Sequence, residues 1–112
     1  MKLAEVVTLL HADVLTGHTM LETRVTTALG ADLLSDVLTT PRDETILLTG
    51  VTNPQVIRTA EMVDIKAVVL VRGKLLPEET LRLARELNLP LLKTSYSLFE
   101  TCGILYRAGL RA

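Results

Sequence analysis

The chain has 112 residues and a formal net charge of −1, from 12 basic and 13 acidic residues. This length predicts one domain over residues 1–112, and the near-neutral charge argues against nucleic acid or an anionic membrane surface as a partner. Hydrophobic residues make up 48% of the chain and aromatic residues only 3%, which predicts an aliphatic core. A single Cys excludes a disulfide framework, and no apolar run is long enough to span a membrane, so we expect a cytoplasmic protein.

The amino-terminal part of the chain predicts a helix followed by two strands. Residues 2–11 place apolar side chains at the helical period, at Leu3, Val6, Val7 and Leu10. Residues 12–16 and the Val- and Thr-rich residues 23–30 are typical of strands. Asp32 stands at the expected N-cap of a short second helix, which we expect Pro41 to end.

From residue 45 onwards strands and helices are predicted to alternate regularly. Short apolar runs, typical of strands buried on both faces, occupy residues 45–50, 67–71 and 91–94. Asn53 and Pro54 supply an N-cap and a first helical residue, and Ser97 forms a capping box with Glu100. Pro77 is likewise expected to open a helix. This order predicts an α/β domain with a small, mostly parallel sheet and helices on both faces.

Two of these helices carry specific predictions about burial. The helix after Pro77 is expected to bury Leu81, Ala84 and Leu87 and to end at a left-handed Asn88. The last helix is expected to run to about Arg107. Its residue Cys102 shares a stripe with Phe99, Gly103 and Tyr106, and we expect it to be a small buried core residue. Gly103 weakens this helix by about 1 kcal/mol relative to Ala, which close packing against another backbone, within the chain or across a dimer, would explain.

Polar residues follow the predicted strands where the carboxyl ends of the strands meet. Ligands bind at this edge in open parallel sheets, and hydroxyls, two cations and helix N-termini suit an anion or a phosphate. The candidate ligand-binding residues are Thr49, Gly50, Thr52, Asn53, Arg72, Gly73, Lys74, Thr94 and Ser95. The alternative is that these are ordinary solvated turns, with Gly73 supplying a positive φ.

No catalytic or metal-binding pattern accompanies these residues. The chain has neither a P-loop nor a Gly-x-Gly-x-x-Gly segment. Asp32 and Asp36 would share one face of a helix, but capping and solvation account for them. His11 and His18 lack metal-ligand spacing to each other or to Cys102. We therefore predict a protein that is not an enzyme, with no cofactor and no metal.

Several segments together resemble the DRTGG domain family. Residues 30–38 resemble that family's Gly-Asp-Leu-Leu-Ser-Asp-Val segment, and residues 46–50 with 53–60 resemble its next strand-loop-helix. Residues 68–73 with 77–79 resemble its strand ending in Thr-Gly-Gly and the helix that follows, and residues 94–101 resemble its closing segment. The chain departs from the family at Val51-Thr52-Asn53, where Asp-Arg is expected, and at Val71-Arg72-Gly73, where Thr-Gly-Gly is usual.

The resemblance implies a fold similar to the amino-terminal domain of HPr kinase/phosphorylase and a regulatory, dimer-forming role, as beside CBS domains in pyrophosphatases. It implies no catalytic residues. The function we predict is a non-enzymatic regulatory module that homodimerises and senses a small anionic ligand, with a regulated protein as a further partner. Two alternatives stay open: a binding protein for a nucleotide or phosphorylated metabolite, and a small phosphoryl-transfer enzyme that uses Asp32 or Asp36.

Overall fold

The computed structural model describes residues 1–39 and 43–112, in which helices and strands alternate. The helices are α1 (Leu3–Leu10), α2 (Leu34–Thr39), α3 (Pro54–Met62), α4 (Glu78–Glu86) and α5 (Leu98–Arg107), with a 3₁₀ turn at His18–Met20. The strands are β1 (Asp13–Thr16), β2 (Thr27–Gly30), β3 (Thr45–Thr49), β4 (Ala67–Leu70) and β5 (Leu91–Lys93). The expected helix end at Pro41 lies outside the described residues. None of the helices in the described ranges is long and apolar enough to cross a membrane.

The five strands form a single sheet in the order β1-β5-β4-β3-β2. Among the strands of the described residues, β2 to β5 run parallel to one another, and only β1 pairs antiparallel, with β5. Each parallel strand lies beside the next one in the chain, so right-handed crossovers place α2, α3 and α4 on the same side of the sheet. Helices α1 and α5 cover the other side. The predicted fold class, a mostly parallel sheet with helices on both faces, is confirmed.

Two apolar cores explain why the central strands are unbroken apolar runs. On β3, Ile46 and Leu48 point into the core beneath α1 and α5, whereas Leu47 points into the core beneath α2, α3 and α4. On β4, Val69 points into the core beneath α1 and α5, and Val68 points into the core beneath α2, α3 and α4. Every residue of both strands is buried, so neither strand has a solvated side that would require polar residues.

Most of the predicted helix ends are confirmed. The Asn53 side chain accepts a hydrogen bond from the Gln55 N–H at 3.0 Å, with Pro54 in the first helical position. Ser97 and Glu100 form both hydrogen bonds of the capping box. Asn88 has a φ of 53°, the left-handed conformation expected just beyond α4.

Three predictions about individual elements were wrong. Strand β2 occupies Thr27–Gly30 and not residues 23–30, because Thr23 and Val25 form backbone hydrogen bonds with the amino-terminal residues instead of with the sheet. Of the three residues expected to be buried on α4, Ala84 is buried and Leu81 is partly buried, but Leu87, just past the helix, is 36% exposed. The polar Thr80 is buried as well. The Thr80 hydroxyl donates to the Thr52 carbonyl at 2.7 Å, which turns this polar residue inward.

The third wrong prediction is that Cys102 on α5 is a buried core residue. The buried residues of α5 are Thr101 and Leu105, so the opposite side of the helix faces outward. Phe99 is 88% exposed and Tyr106 is 62% exposed. Cys102 is only partly buried, so the expectation of a buried core cysteine was wrong.

Candidate functional site

The carboxyl ends of the parallel strands bring four short loops to one edge of the sheet. Asp32 follows β2, Gly50 follows β3, Arg72 follows β4, and Ser95 follows β5. Three of these loops contain residues predicted from the sequence, and the fourth contributes Asp32. Helix α2 begins at Leu34, so the predicted N-cap role of Asp32 was wrong.

The carboxylate of Asp32 reaches across to the end of β3. One oxygen, Oδ1, accepts a hydrogen bond from the Gly50 N–H at 2.8 Å and another from the Thr49 hydroxyl at 3.1 Å. The Gly50 hydrogen bond is the main reason that the pKa of Asp32 lies below its ordinary value of 3.8. Partial desolvation raises this pKa, whereas the Thr49 hydrogen bond and the charges of Arg72 and Lys74 lower it further. The group is therefore an anion throughout the neutral range, and it sits among backbone and hydroxyl donors.

Lys74 contacts Gly50 from the side opposite Asp32. Its ammonium donates a hydrogen bond to the Gly50 carbonyl at 2.9 Å. A side chain at position 50 would place its Cβ 3.3 Å from Lys74 Nζ and 3.6 Å from Asp32 Oδ1. The absence of a side chain at Gly50 thus lets a cation and an anion both lie close to the same stretch of backbone.

Arg72 and Gly73 form a tight turn after β4. Both are in the left-handed region, with φ values of 64° and 57°. Two backbone hydrogen bonds hold the turn, from the Arg72 N–H to the Tyr96 carbonyl and from the Gly73 N–H to the Thr94 carbonyl, each 2.8 Å long. A left-handed conformation is unusual for Arg and marks a position that the surrounding structure enforces. The predicted positive φ at Gly73 is confirmed.

These two hydrogen bonds also close the usual binding crevice. Ligands in open α/β sheets bind where successive connections leave on opposite faces of the sheet. Here that point lies between β4, which leads to α4, and β5, which leads to α5. Because the Arg72 turn is bonded directly to the loop after β5, the accessible polar groups are shifted toward β3 and Asp32.

The guanidinium of Arg72 is exposed and unpaired. Within the described part of the chain it makes no hydrogen bond and no ion pair, and its charge acts on Asp32 only through space. Arg72 is therefore available to an external anion, whereas Lys74 would have to leave the Gly50 carbonyl. Arginine is the side chain best suited to bind two oxygens of a phosphate or carboxylate at once.

The remaining predicted residues have other contacts. The Thr94 hydroxyl donates to the Leu10 carbonyl at 2.8 Å in the core, away from the loop edge. The Asn53 side chain caps α3, and the Thr52 carbonyl accepts from Thr80. Ser95 lies beside Gly73. The groups that converge are thus Thr49, Gly50, Arg72 and Lys74, together with Asp32. No cluster of three metal-ligating side chains occurs within the described ranges.

A second feature is the outward stripe of α5, formed by the exposed Phe99, Gly103 and Tyr106 and, at its edge, the partly buried Cys102, whose Sγ lies beside Gly30. It borders an apolar groove of about 460 Å³ whose floor includes Ala28, Gly30 and Leu48. Arg111 lies over the Tyr106 ring, 4.3 Å from its centroid. Burial raises the pKa of the Cys102 thiol, so this Cys is not an activated nucleophile.

Comparisons with known proteins agree with this architecture. The model of the DRTGG domain matches residues 5–108. The fold is similar to the crystal structure of the CBS and DRTGG domains of the regulatory region of Clostridium perfringens pyrophosphatase, complexed with the activator diadenosine tetraphosphate, with a TM-score of 0.78 and 12% sequence identity. The match covers 97% of this chain and 47% of that one, so this chain spans about half the length of the matched structure. A search of curated proteins found no match.

Proposed function

The chain belongs to the DRTGG domain family, and we propose that it is a non-enzymatic regulatory module that homodimerises and binds a small anionic ligand, a nucleotide or a phosphorylated metabolite. The observation that carries the proposal is the unpaired Arg72 beside Lys74 at the carboxyl-end edge of the sheet. The structure of the similar C. perfringens regulatory region contains a polyanionic nucleotide activator, which supports a nucleotide as the ligand class.

The contacts suggest how an anion would bind at this edge. Arg72 supplies a planar pair of donors, and Lys74 supplies a second cation once it exchanges the Gly50 carbonyl for a ligand oxygen. Asp32 already occupies the Gly50 N–H and the Thr49 hydroxyl, so an added anion is directed toward the two cations. Leu75, which is 89% exposed, lies next to Lys74 and offers an apolar contact to a base.

The first experiment is a thermal-shift titration with inorganic phosphate, adenine and guanine nucleotides, and diadenosine tetraphosphate. A ligand at about 100 times its Kd stabilises the folded state by ~2.7 kcal/mol. For a chain of this size that corresponds to a Tm increase of roughly 10 °C. The Arg72→Ala/Lys74→Ala variant should lose the increase.

The matched control is Arg58→Ala/Arg82→Ala, which removes two cations from the groove between α3 and α4, a groove that Glu79 and Glu86 also line. This control should keep the ligand-dependent increase in Tm. Ligand binding at this edge is contradicted if no anion stabilises the wild type, or if both double variants respond equally.

The homodimer is tested by sedimentation equilibrium with and without nucleotide. A ligand changes an association equilibrium only if it binds monomer and dimer with different affinity. An association state that changes with one nucleotide would support a ligand-operated module. A wild type that stays monomeric at every concentration would contradict the dimer.

A further inference from the structure

The outward stripe of α5 concentrates apolar surface in a chain that has few aromatic residues. The chain contains three aromatic residues, and two of them, Phe99 and Tyr106, are exposed on this one helix. Helical residues seven apart lie on the same face, so the two rings flank Cys102 and Gly103. The Arg111 guanidinium lies against the Tyr106 ring and donates to the Tyr106 and Leu110 carbonyls at 2.8 Å, which orders this end of the stripe.

Gly103 has no close neighbour within the part of the chain that the structure describes. A Cβ built at this position would meet no atom within 4 Å. Glycine weakens the middle of a helix relative to alanine, so a mid-helix glycine normally reflects a close approach by another group. No group of the described chain makes that approach, so the open face of Gly103 is free for close contact with another molecule.

The spacing of the stripe is symmetric about the midpoint between Cys102 and Gly103. Phe99 and Tyr106 lie at equal distances from that midpoint. If α5 packs antiparallel against a second α5 about a two-fold axis at this point, Phe99 lies opposite the partner's Tyr106, and Cys102 lies opposite the partner's Gly103. The aromatic rings then meet in pairs, while the small residues allow the two helix backbones to approach.

The charges beside the stripe are complementary under the same two-fold operation, although they are not equidistant from the midpoint. Glu100 and Arg107 are both exposed and lie on one flank of α5. A two-fold axis at the same midpoint places Glu100 within about 3 Å, along the helix axis, of the partner's Arg107, and this happens twice in the dimer. The surface is therefore complementary to itself in both apolar groups and charges.

We propose that the stripe Phe99, Cys102, Gly103 and Tyr106 is the homodimer interface, in which α5 packs antiparallel against α5 of a second copy of this chain. The inference rests on the homodimer proposed above and assigns its surface. Ligand binding at the loop edge is a separate matter, because the loop edge and this stripe share no residue.

The decisive variant is Gly103→Lys. Lysine is a good helix former and the position is open in the monomer, so the monomer should fold at least as stably as the wild type, as judged by circular dichroism. In the dimer, two ammonium groups would meet at the two-fold axis. Sedimentation equilibrium should then show the dissociation constant raised by roughly 100-fold or more, as for loss of a central interface contact.

The matched control is Met62→Lys. Met62 is also an exposed apolar residue on a helix, 69% exposed, but it belongs to α3 on the opposite face of the sheet. This variant adds the same charge and should dimerise as the wild type does.

A charge exchange provides a second, independent test. Arg107→Glu should weaken association, and Glu100→Arg/Arg107→Glu should restore it, although the double variant loses the Glu100 side of the capping box. A dimeric wild type whose Gly103→Lys variant also dimerises would overturn this interface and leave the homodimer standing. A monomeric wild type would overturn both, and in that case nucleotide binding is still measured separately by thermal shift.

Discussion

The loop edge around Gly50 and the outward stripe of α5 differ in how far their side chains are paired within the chain. At the loop edge nearly every polar group has a partner inside the chain: Asp32 bonds to Gly50 and Thr49, and Lys74 bonds to the Gly50 carbonyl. On α5, Phe99 and Tyr106 are largely exposed, and a Cβ at Gly103 would meet no atom of the described chain. The first region is held together without a ligand, and among its described charged side chains the Arg72 guanidinium has no partner. The second is left incomplete in the monomer.

The two regions are joined by β2 and β3. Gly30 ends β2 against Cys102 of α5, and Asp32 follows two residues later. Leu48 of β3 lies beneath the α5 groove, and Gly50 follows two residues later, just after the strand. A change in either strand should therefore affect both regions, whereas a change in a loop or an exposed helix face should affect one.

The largest expected effect comes from Leu48→Ala, which removes a fully buried side chain from the strand that supports both regions. A Leu→Ala substitution in a core costs ~3 kcal/mol because it removes apolar contacts and leaves a cavity. Urea denaturation should show this loss in the free energy of unfolding with an unchanged m-value. A cost below about 1 kcal/mol would mean that β3 is not a central strand of the core.

A smaller effect is expected from Gly30→Ala. The added Cβ would lie 2.8 Å from Cys102 Sγ, closer than non-bonded atoms tolerate, and the sulfur is held by the packing of α5. Overpacking of this kind costs ~1–3 kcal/mol. Cys102→Ala removes the sulfur, so the double variant Gly30→Ala/Cys102→Ala should recover most of that loss.

A double-mutant cycle measured by denaturation tests this contact. An interaction free energy near zero would show that β2 and α5 do not press on each other at Gly30. In that event the loop edge and the α5 stripe would be structurally independent, and the link through β2 would be wrong.

Much of the fold could be predicted from the sequence because its signals are local. The apolar runs of β3 and β4, the Asn53 cap and the Ser97–Glu100 box depend on neighbouring residues, and all are confirmed. The loop residues were placed at one edge because parallel strands end together. The binding role of the loop edge stays a prediction, since no ligand contact tests it.

The parts that could not be predicted depend on distant contacts. Asp32 suits an N-cap locally, but its true partners lie 17 and 18 residues further along the chain. Its position directly after β2, at the edge where the other loops meet, was the available signal. Helical periodicity grouped Phe99 with Tyr106 correctly, but it could not show that polar Thr101 would lie inside and Phe99 outside.

The smallest expected effect, and the one that isolates the loop edge, is that of Asp32→Asn. The amide keeps an acceptor oxygen for the Gly50 N–H but loses the charge, and because Asp32 is exposed, solvent screening limits the cost to about 0.5 kcal/mol at neutral pH. The pKa of Asp32 is lowered by folding, so its charge stabilises the fold above the ordinary Asp value of 3.8 and loses this effect as the pH falls through the lower folded pKa. Denaturation at neutral and acidic pH should therefore show a wild-type advantage that shrinks with acid, whereas a pH-independent difference would mean that the carboxylate charge does not hold this loop.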